Sequence, residues 1–259
     1  MPTGSRVPSA SFDLSDRVAI VTGGSRGIGL AIAKGFAAHG AKVVIASRKA
    51  EACEAAVKEI ESAGGTALAV PTHLGELDAL ERLVDRTVAE FGDLDIVVNN
   101  AANALAQPVG EYTAEAWAKS LDVNLRGPVF LTQYALPHLR RSIFGASVIN
   151  VLSAGVFLRS EGTSIYAIGK GGLLAFTRAA AGSLAAENIR VNALAPGTVD
   201  TDMVRANTPE RVASMAQSSP MRRMAEPDEM VGPALLLASD AGSYITGQVL
   251  SADGGLTVH

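Results

Sequence analysis

A doubly wound α/β fold, one parallel sheet with helices on both faces, follows from three observations on this chain of 259 residues. Short apolar runs alternate with longer amphipathic stretches, the apolar runs lack in-and-out alternation, and a glycine-rich turn joins the first run to the first stretch. Strands covered on both faces read as continuous apolar runs, and strands that alternate with helical patterns build parallel sheets through crossover connections. In chain order the expected strands are Val18 to Val21, Lys42 to Ile45, Thr66 to Val70, Asp95 to Val98, Ser147 to Val151 and Arg190 to Leu194. Ile28 to His39, Ala50 to Ala63, Leu77 to Phe91, Ala114 to Leu139 and Ser164 to Ala186 are the expected helices, with Gly40, Gly64 and Gly92 as stops. Residues 1–12, polar at the start and rich in Pro and Ser, read as a flexible leader, and residues 13–259 as one domain. Inside that domain 197–227 is the least regular stretch, with prolines, methionines and arginines, and is expected to form a lid.

Composition narrows the function. The net charge of −4 is spread without basic blocks, which argues against a nucleic-acid or membrane-surface partner and for a small molecule. Cys53 is the only cysteine, so no internal disulfide can form and a reducing compartment is the simpler expectation. No uninterrupted apolar stretch approaches the length of a membrane span, and the start lacks a signal peptide's apolar core. A soluble, cytoplasmic protein is expected. His39, His138 and His259 stand far apart without ligand spacing, so no catalytic metal is expected.

Two sites of chemistry stand out. Tyr166 and Lys170 lie four apart in a predicted helix, which puts them on one face, where an ammonium stabilises a phenolate. Such a pair arises by chance in roughly one unrelated chain in ten, so its surroundings decide its meaning. Ser153 stands thirteen residues ahead, at the end of a strand, where ligands of doubly wound folds bind. The turn Thr22-Gly23-Gly24-Ser25-Arg26-Gly27-Ile28-Gly29 follows the first strand and opens the first helix, the setting in which backbone amides bind a dinucleotide pyrophosphate.

Thr22-Gly-x-x-x-Gly-x-Gly29, Asn99-Asn100-Ala101, Asn124, Ser153, Tyr166-x-x-x-Lys170 and Pro196-Gly197 occur in the order and spacing of the short-chain dehydrogenase/reductase family. Ile245-Thr246-Gly247-Gln248 and Asp253-Gly254-Gly255 resemble its carboxy-terminal signature, so the likeness covers the chain from about Asp13 to Gly255. The chain is most similar to 3-oxoacyl-carrier-protein reductase-like members. The resemblance implies a Rossmann-like domain that binds a dinucleotide and performs the catalysis. It makes Tyr166 the acid or base, with Lys170 lowering its pKa and holding the nicotinamide ribose, Ser153 orienting the substrate oxygen, and Asn124 holding a water. Gly23, Ser25, Arg26, Gly27, Ile28, Gly29, Asn100, Ala101, Pro196, Gly197, Val199 and Thr201 are its implied cofactor contacts. Ser47 and Arg48 end the second strand where many members carry an acid. With Arg26 they form a clamp for a 2′-phosphate, so NADP is the expected cofactor and NAD the alternative.

Departures from the family pattern are few. His73 stands where an aspartate usually meets the adenine, beside Leu74, whose backbone contact is unchanged. Leu152, Gly169 and Ala102 replace residues that are commonly serine, serine and glycine. The stretch Ala154 to Leu158, with Met203, Val204, Met215 and Met221, is expected to line an apolar pocket for a ketone or secondary alcohol. Arg205, Arg211, Arg222 and Arg223 are candidates for the phosphate of a carrier-bound 3-oxoacyl thioester. Alternatives are an NAD(H)-dependent sugar or steroid-type alcohol dehydrogenase, or a non-catalytic nucleotide-sensing protein. The helix carrying Tyr166 is rich in Gly and Ala, which suits close helix packing in the homodimer or homotetramer that the resemblance implies.

Overall fold

The computed structural model describes residues 11–105, 107–159 and 163–257. Residues 1–10 of the expected leader lie outside them. Seven strands form one sheet in the order β3-β2-β1-β4-β5-β6-β7, and every neighbouring pair is parallel. They are β1 (Val18–Thr22), β2 (Lys42–Ser47), β3 (Thr66–Pro71), β4 (Ile96–Asn99), β5 (Ala146–Val151), β6 (Ile189–Pro196) and β7 (Val249–Ala252). The long helices are α1 (Gly27–Ala38), α2 (Ala50–Ser62), α3 (Leu77–Phe91), α4 (Ala114–Leu121), α5 (Gly127–Leu139) and α6 (Ser164–Leu184). Three more follow: α7 (Asp202–Arg205), α8 (Pro209–Gln217) and α9 (Val231–Ala238).

Why the strand sequences carry no alternation is visible in the two cores. Side chains along a strand point to opposite faces in turn. Ala19, Val21, Val43, Ile45, Ile96 and Val98 enter a cluster with residues of α1, α2 and α9. Ile20, Val44, Ala46, Val97 and Val148 enter a second cluster with residues of α3, α5 and α6. Both faces are therefore covered, and β1 is buried at every position. Each large aliphatic side chain so buried contributes about 1.5–3 kcal/mol. The stops at Gly40, Gly64 and Gly92 hold, and Gly92 adopts φ 85° as its amide donates to the Val88 carbonyl.

Four expectations need correction. The sheet has a seventh strand, β7, and α9 follows the 197–227 segment; neither is among the predicted elements. The single helix expected from Ala114 to Leu139 is interrupted by a π-helical turn, Asp122–Arg126. The stretch 197–227, expected to be irregular, carries α7 and α8. Among the described residues no helix is long and apolar enough to cross a membrane.

Candidate active site

Parallel pairing brings the carboxyl ends of β1, β4, β5 and β6 to one edge, and the predicted site residues gather there. At the end of β1, Thr22 Oγ1 accepts the amides of Asn100 (3.0 Å) and Ala101 (3.1 Å), while Asn100 Nδ2 donates to the Thr22 carbonyl at 2.9 Å. Asn100 thus ties β4 to the glycine turn. Gly29 lies so close beneath that turn that a Cβ there would sit 2.3 Å from the Gly23 carbonyl oxygen and 2.4 Å from Asn100 Nδ2. Helix α1 opens at Arg26 with no side-chain cap and no acid in its first turn, which leaves its leading amides for an outside anion. Gly27 faces Thr201, whose Cγ2 would be 3.2 Å from an added Cβ, so the turn and the start of the 197–227 segment meet. Val199 is buried and bridges to Ala225, and the Gly197 amide donates to the Ala252 carbonyl at 3.0 Å.

At the outer end of the cleft, Ser25 Oγ donates to Ser47 Oγ at 2.8 Å, joining the glycine turn to the end of β2. Arg48 follows and is exposed. Arg26, also exposed, pairs with Asp202 at 3.2 Å, so one of the two arginines expected to clamp a 2′-phosphate already holds a carboxylate of the 197–227 segment. His73 is exposed and its Nδ1 accepts the Gly75 amide at 3.1 Å; Leu74 is buried. With Nδ1 accepting, the proton of the neutral ring lies on Nε2.

At the inner end, Ser153 caps a short 3-10 turn, its Oγ accepting the Gly155 amide at 3.1 Å, and it hydrogen-bonds the Tyr166 phenol. Burial pushes the phenol up to about 12, with the Ser153 bond acting in the opposite direction. Lys170, one helical turn on, is fully enclosed, and burial brings its ammonium down to about 7. Its Nζ donates to the Val151 carbonyl at 2.6 Å and lies 5.8 Å from the centre of the tyrosine ring. In the protein by itself the lysine therefore anchors to β5. Asn124 sits in the π-helical turn. Its Nδ2 donates to the Asn103 carbonyl (2.8 Å) and to Ser120 Oγ (3.2 Å), and its Oδ1 accepts the Asn103 amide (3.1 Å). Gly169 explains how the turn comes so close to α6, since a Cβ there would stand 2.9 Å from Asn124 Cβ.

Two of the four arginines expected to meet a carrier phosphate are already committed. Arg205 holds Asp200 through two bonds of 2.6 and 2.7 Å, and Arg223 holds Glu229 the same way, drawing the Glu229 carboxyl down to about 2. Arg211 and Arg222 are exposed. Three contacts escaped the sequence reading: Asn103 and Ser120 around Asn124, and the hydrogen bond from Tyr112 to Ser164 at the start of α6. Only the aromatic pairing of Tyr112 with nearby Trp117 could have drawn attention to that loop.

Comparison with known proteins agrees with this geometry. Residues 23–257 match the family described as enoyl-(acyl carrier protein) reductase. The chain is 38% identical over 244 residues to cis-4-hydroxycyclohexanecarboxylate dehydrogenase of Sinomonas cyclohexanicum, covering 94% of this chain and 97% of that protein. It is 36% identical to the 3-oxoacyl-[acyl-carrier-protein] reductase of Chlamydia muridarum, covering 94% and 98%. A crystal structure of a blue fluorescent protein from a metagenomic library in complex with NADPH superposes with a TM-score of 0.89 at 33% identity, covering 95% of this chain and all of that one. Matches of this extent, over a site whose tyrosine, lysine and serine converge at the predicted edge, show that the chain belongs to the short-chain dehydrogenase/reductase family.

Proposed function

We propose that this protein is an NADP(H)-dependent oxidoreductase that interconverts a ketone and a secondary alcohol. The observation that carries the reading is the convergence of Ser153, Tyr166 and Lys170 at the sheet edge that also holds the glycine turn. The residues present fit a dinucleotide, because the uncapped start of α1 and the bare glycines leave a cradle that a side chain would fill. When bound, the nicotinamide supplies or accepts hydride. Ser153 orients the carbonyl oxygen, and Tyr166 gives it a proton in reduction or takes one from the alcohol in oxidation. Lys170 holds the nicotinamide ribose and supports the phenolate, and Asn124 fixes the Asn103 loop beside them. Gly23, Gly27, Ile28 and Gly29 receive the pyrophosphate; Ser25, Arg26, Ser47 and Arg48 receive the 2′-phosphate. His73 and Leu74 flank the adenine, and Asn100, Ala101, Pro196, Gly197, Val199 and Thr201 line the remainder.

The ion pairs that occupy Arg205 and Arg223 favour a small ketone over a carrier-bound thioester. NAD(H) use is the second reading, favoured by the Arg26–Asp202 pair, which removes one cation from the 2′-phosphate clamp. Exposed Ala175, Ala179 and Gly182 on α6 suit close approach of a second copy in a homodimer or homotetramer. The cytoplasm is the compartment proposed for a chain whose sole cysteine is a buried thiol. The test is absorbance at the reduced nicotinamide band, with NADPH and then NADH, against diketones, quinones, sugars and 3-oxoacyl thioesters in both directions. Turnover with NADPH and a ketone, lost in Tyr166→Phe, is the expected result. Absence of turnover with any carbonyl or alcohol, with cofactor binding intact, assigns the chain a sensing role instead.

A further inference from the structure

We propose that the cleft between Arg17 and Arg190, at the sheet edge opposite the catalytic groups, binds a small oxyanion of the phosphate or carboxylate type. Arg17 immediately precedes β1 and Arg190 lies at the start of β6, and both line a cavity of about 120 Å³ with Phe144, Asn188, Asp240 and Ser243. At the liquid volume of water this space holds about four molecules, enough for one compact anion. Because the sheet is parallel, the amino ends of its strands face away from the glycine turn and from Ser153. The cleft is therefore separate from the cofactor and substrate positions.

Charge and hydrogen bonding both point to an anion. Arg17 is 5% exposed, and a guanidinium so far out of water needs opposite charge. Among the described residues Asp240 is the only carboxylate lining the cavity; it meets Arg17 at 2.8 Å, and its own side chain is 43% exposed. Among the described residues Arg190 pairs with no carboxylate, and it donates to two carbonyls, Ser239 at 3.1 Å and Ile245 at 3.4 Å. Arg17 uses one more, that of Ala238 at 3.4 Å. A guanidinium offers more N–H donors than these bonds employ. The two cations also oppose each other: burial and then the charge of Arg17 bring Arg190 down to about 10, against a partial offset from Asp240. Phe144 lies under Arg17 at 5.1 Å and holds its plane, while Asn188 and Ser243 at the mouth are exposed and polar. Two guanidinium forks with one shared carboxylate match an incoming oxyanion with two or more acceptor oxygens.

The test is calorimetric titration of the full chain, saturated with NADPH so that the 2′-phosphate clamp is filled, with inorganic phosphate and with malonate against chloride of equal ionic strength. Saturable binding of either oxyanion is expected, and the tighter of the two names the class. Arg190→Gln should weaken it roughly tenfold, the loss of one charge-assisted contact. Asp240→Asn should strengthen it by removing the competing carboxylate, and Ser243→Asp should abolish it by placing a carboxylate in the cavity, with carbonyl turnover unchanged in both. If Arg190→Gln does not fold, the opposite signs of the other two still decide. No binding beyond chloride, or an Asp240→Asn variant that binds phosphate more weakly than the parent, overturns the proposal.

Discussion

The glycine turn and the 197–227 segment flank the same cleft, yet opposite means hold them. The turn is fixed by backbone passing backbone, with Gly29 beneath Gly23 and Asn100 bonded to Thr22. In the segment, neither α7 nor α8 contains a fully buried residue, and beside the Val199–Ala225 bridge lie ion pairs near the surface, Arg205–Asp200 and Arg223–Glu229. Exposed pairs contribute little and are screened by salt. The contrast teaches where variation is tolerated: backbone packed on backbone leaves no room for an added side chain, whereas helices without a buried residue accept change.

The sharpest break of that contrast is Gly29→Ala, whose methyl has no room against the Gly23 carbonyl; cofactor binding, followed by nicotinamide fluorescence, should fall below detection. Tyr166→Phe removes only the phenol, so kcat/KM for reduction should drop roughly a thousandfold while NADPH binding persists. Lys170 tests the rigid side through pH. Its folded value of about 7 lies below the ordinary 10.5, so between those values the unfolded chain binds more protons. Stability then rises with pH across that window and is lost as pH falls toward 7. Urea midpoints measured from pH 7 to 10 should show this rise, flattened in Lys170→Met. Arg48→Ala should raise the Kd for NADPH about tenfold and leave that for NADH unchanged, because it deletes one charged contact to the 2′-phosphate. The smallest effect belongs to the 197–227 segment: Arg205→Ala should leave the melting temperature nearly unchanged, and more so in high salt.

The sequence showed these two regions unequally, for physical reasons. Strands β1, β2, β4, β5 and β6 were legible because burial on both faces leaves a mostly apolar run without in-and-out alternation. β7, Val-Leu-Ser-Ala at a half-exposed edge, offers no such run. Helix α9, Val231 to Ala238, is apolar nearly all round and has no helical period to detect. The glycine turn and Tyr166, Lys170 and Ser153 were legible because the roles they take need particular residue types at particular spacings. The Arg26–Asp202 pair, 176 positions apart, was not, since nothing local marks either residue as the other's partner. Nor was the π-helical turn, whose clasp on Asn103 runs through backbone groups that every residue owns.

Inside the apolar sheet, Asn99 donates to Asn150 at 2.9 Å, and Asn150 donates to Thr177 of α6 at the same distance. Asn99 and Asn150 are also register partners of β4 and β5. A slip of one residue between those strands would turn an amide into the opposite, hydrocarbon face and strand its donors there. The chain of amides therefore acts as a proofreader of strand alignment during folding: it penalises the wrong pairing more than it rewards the right one, and so keeps Ser153, two residues beyond the end of β5, at the height where Tyr166 can reach it.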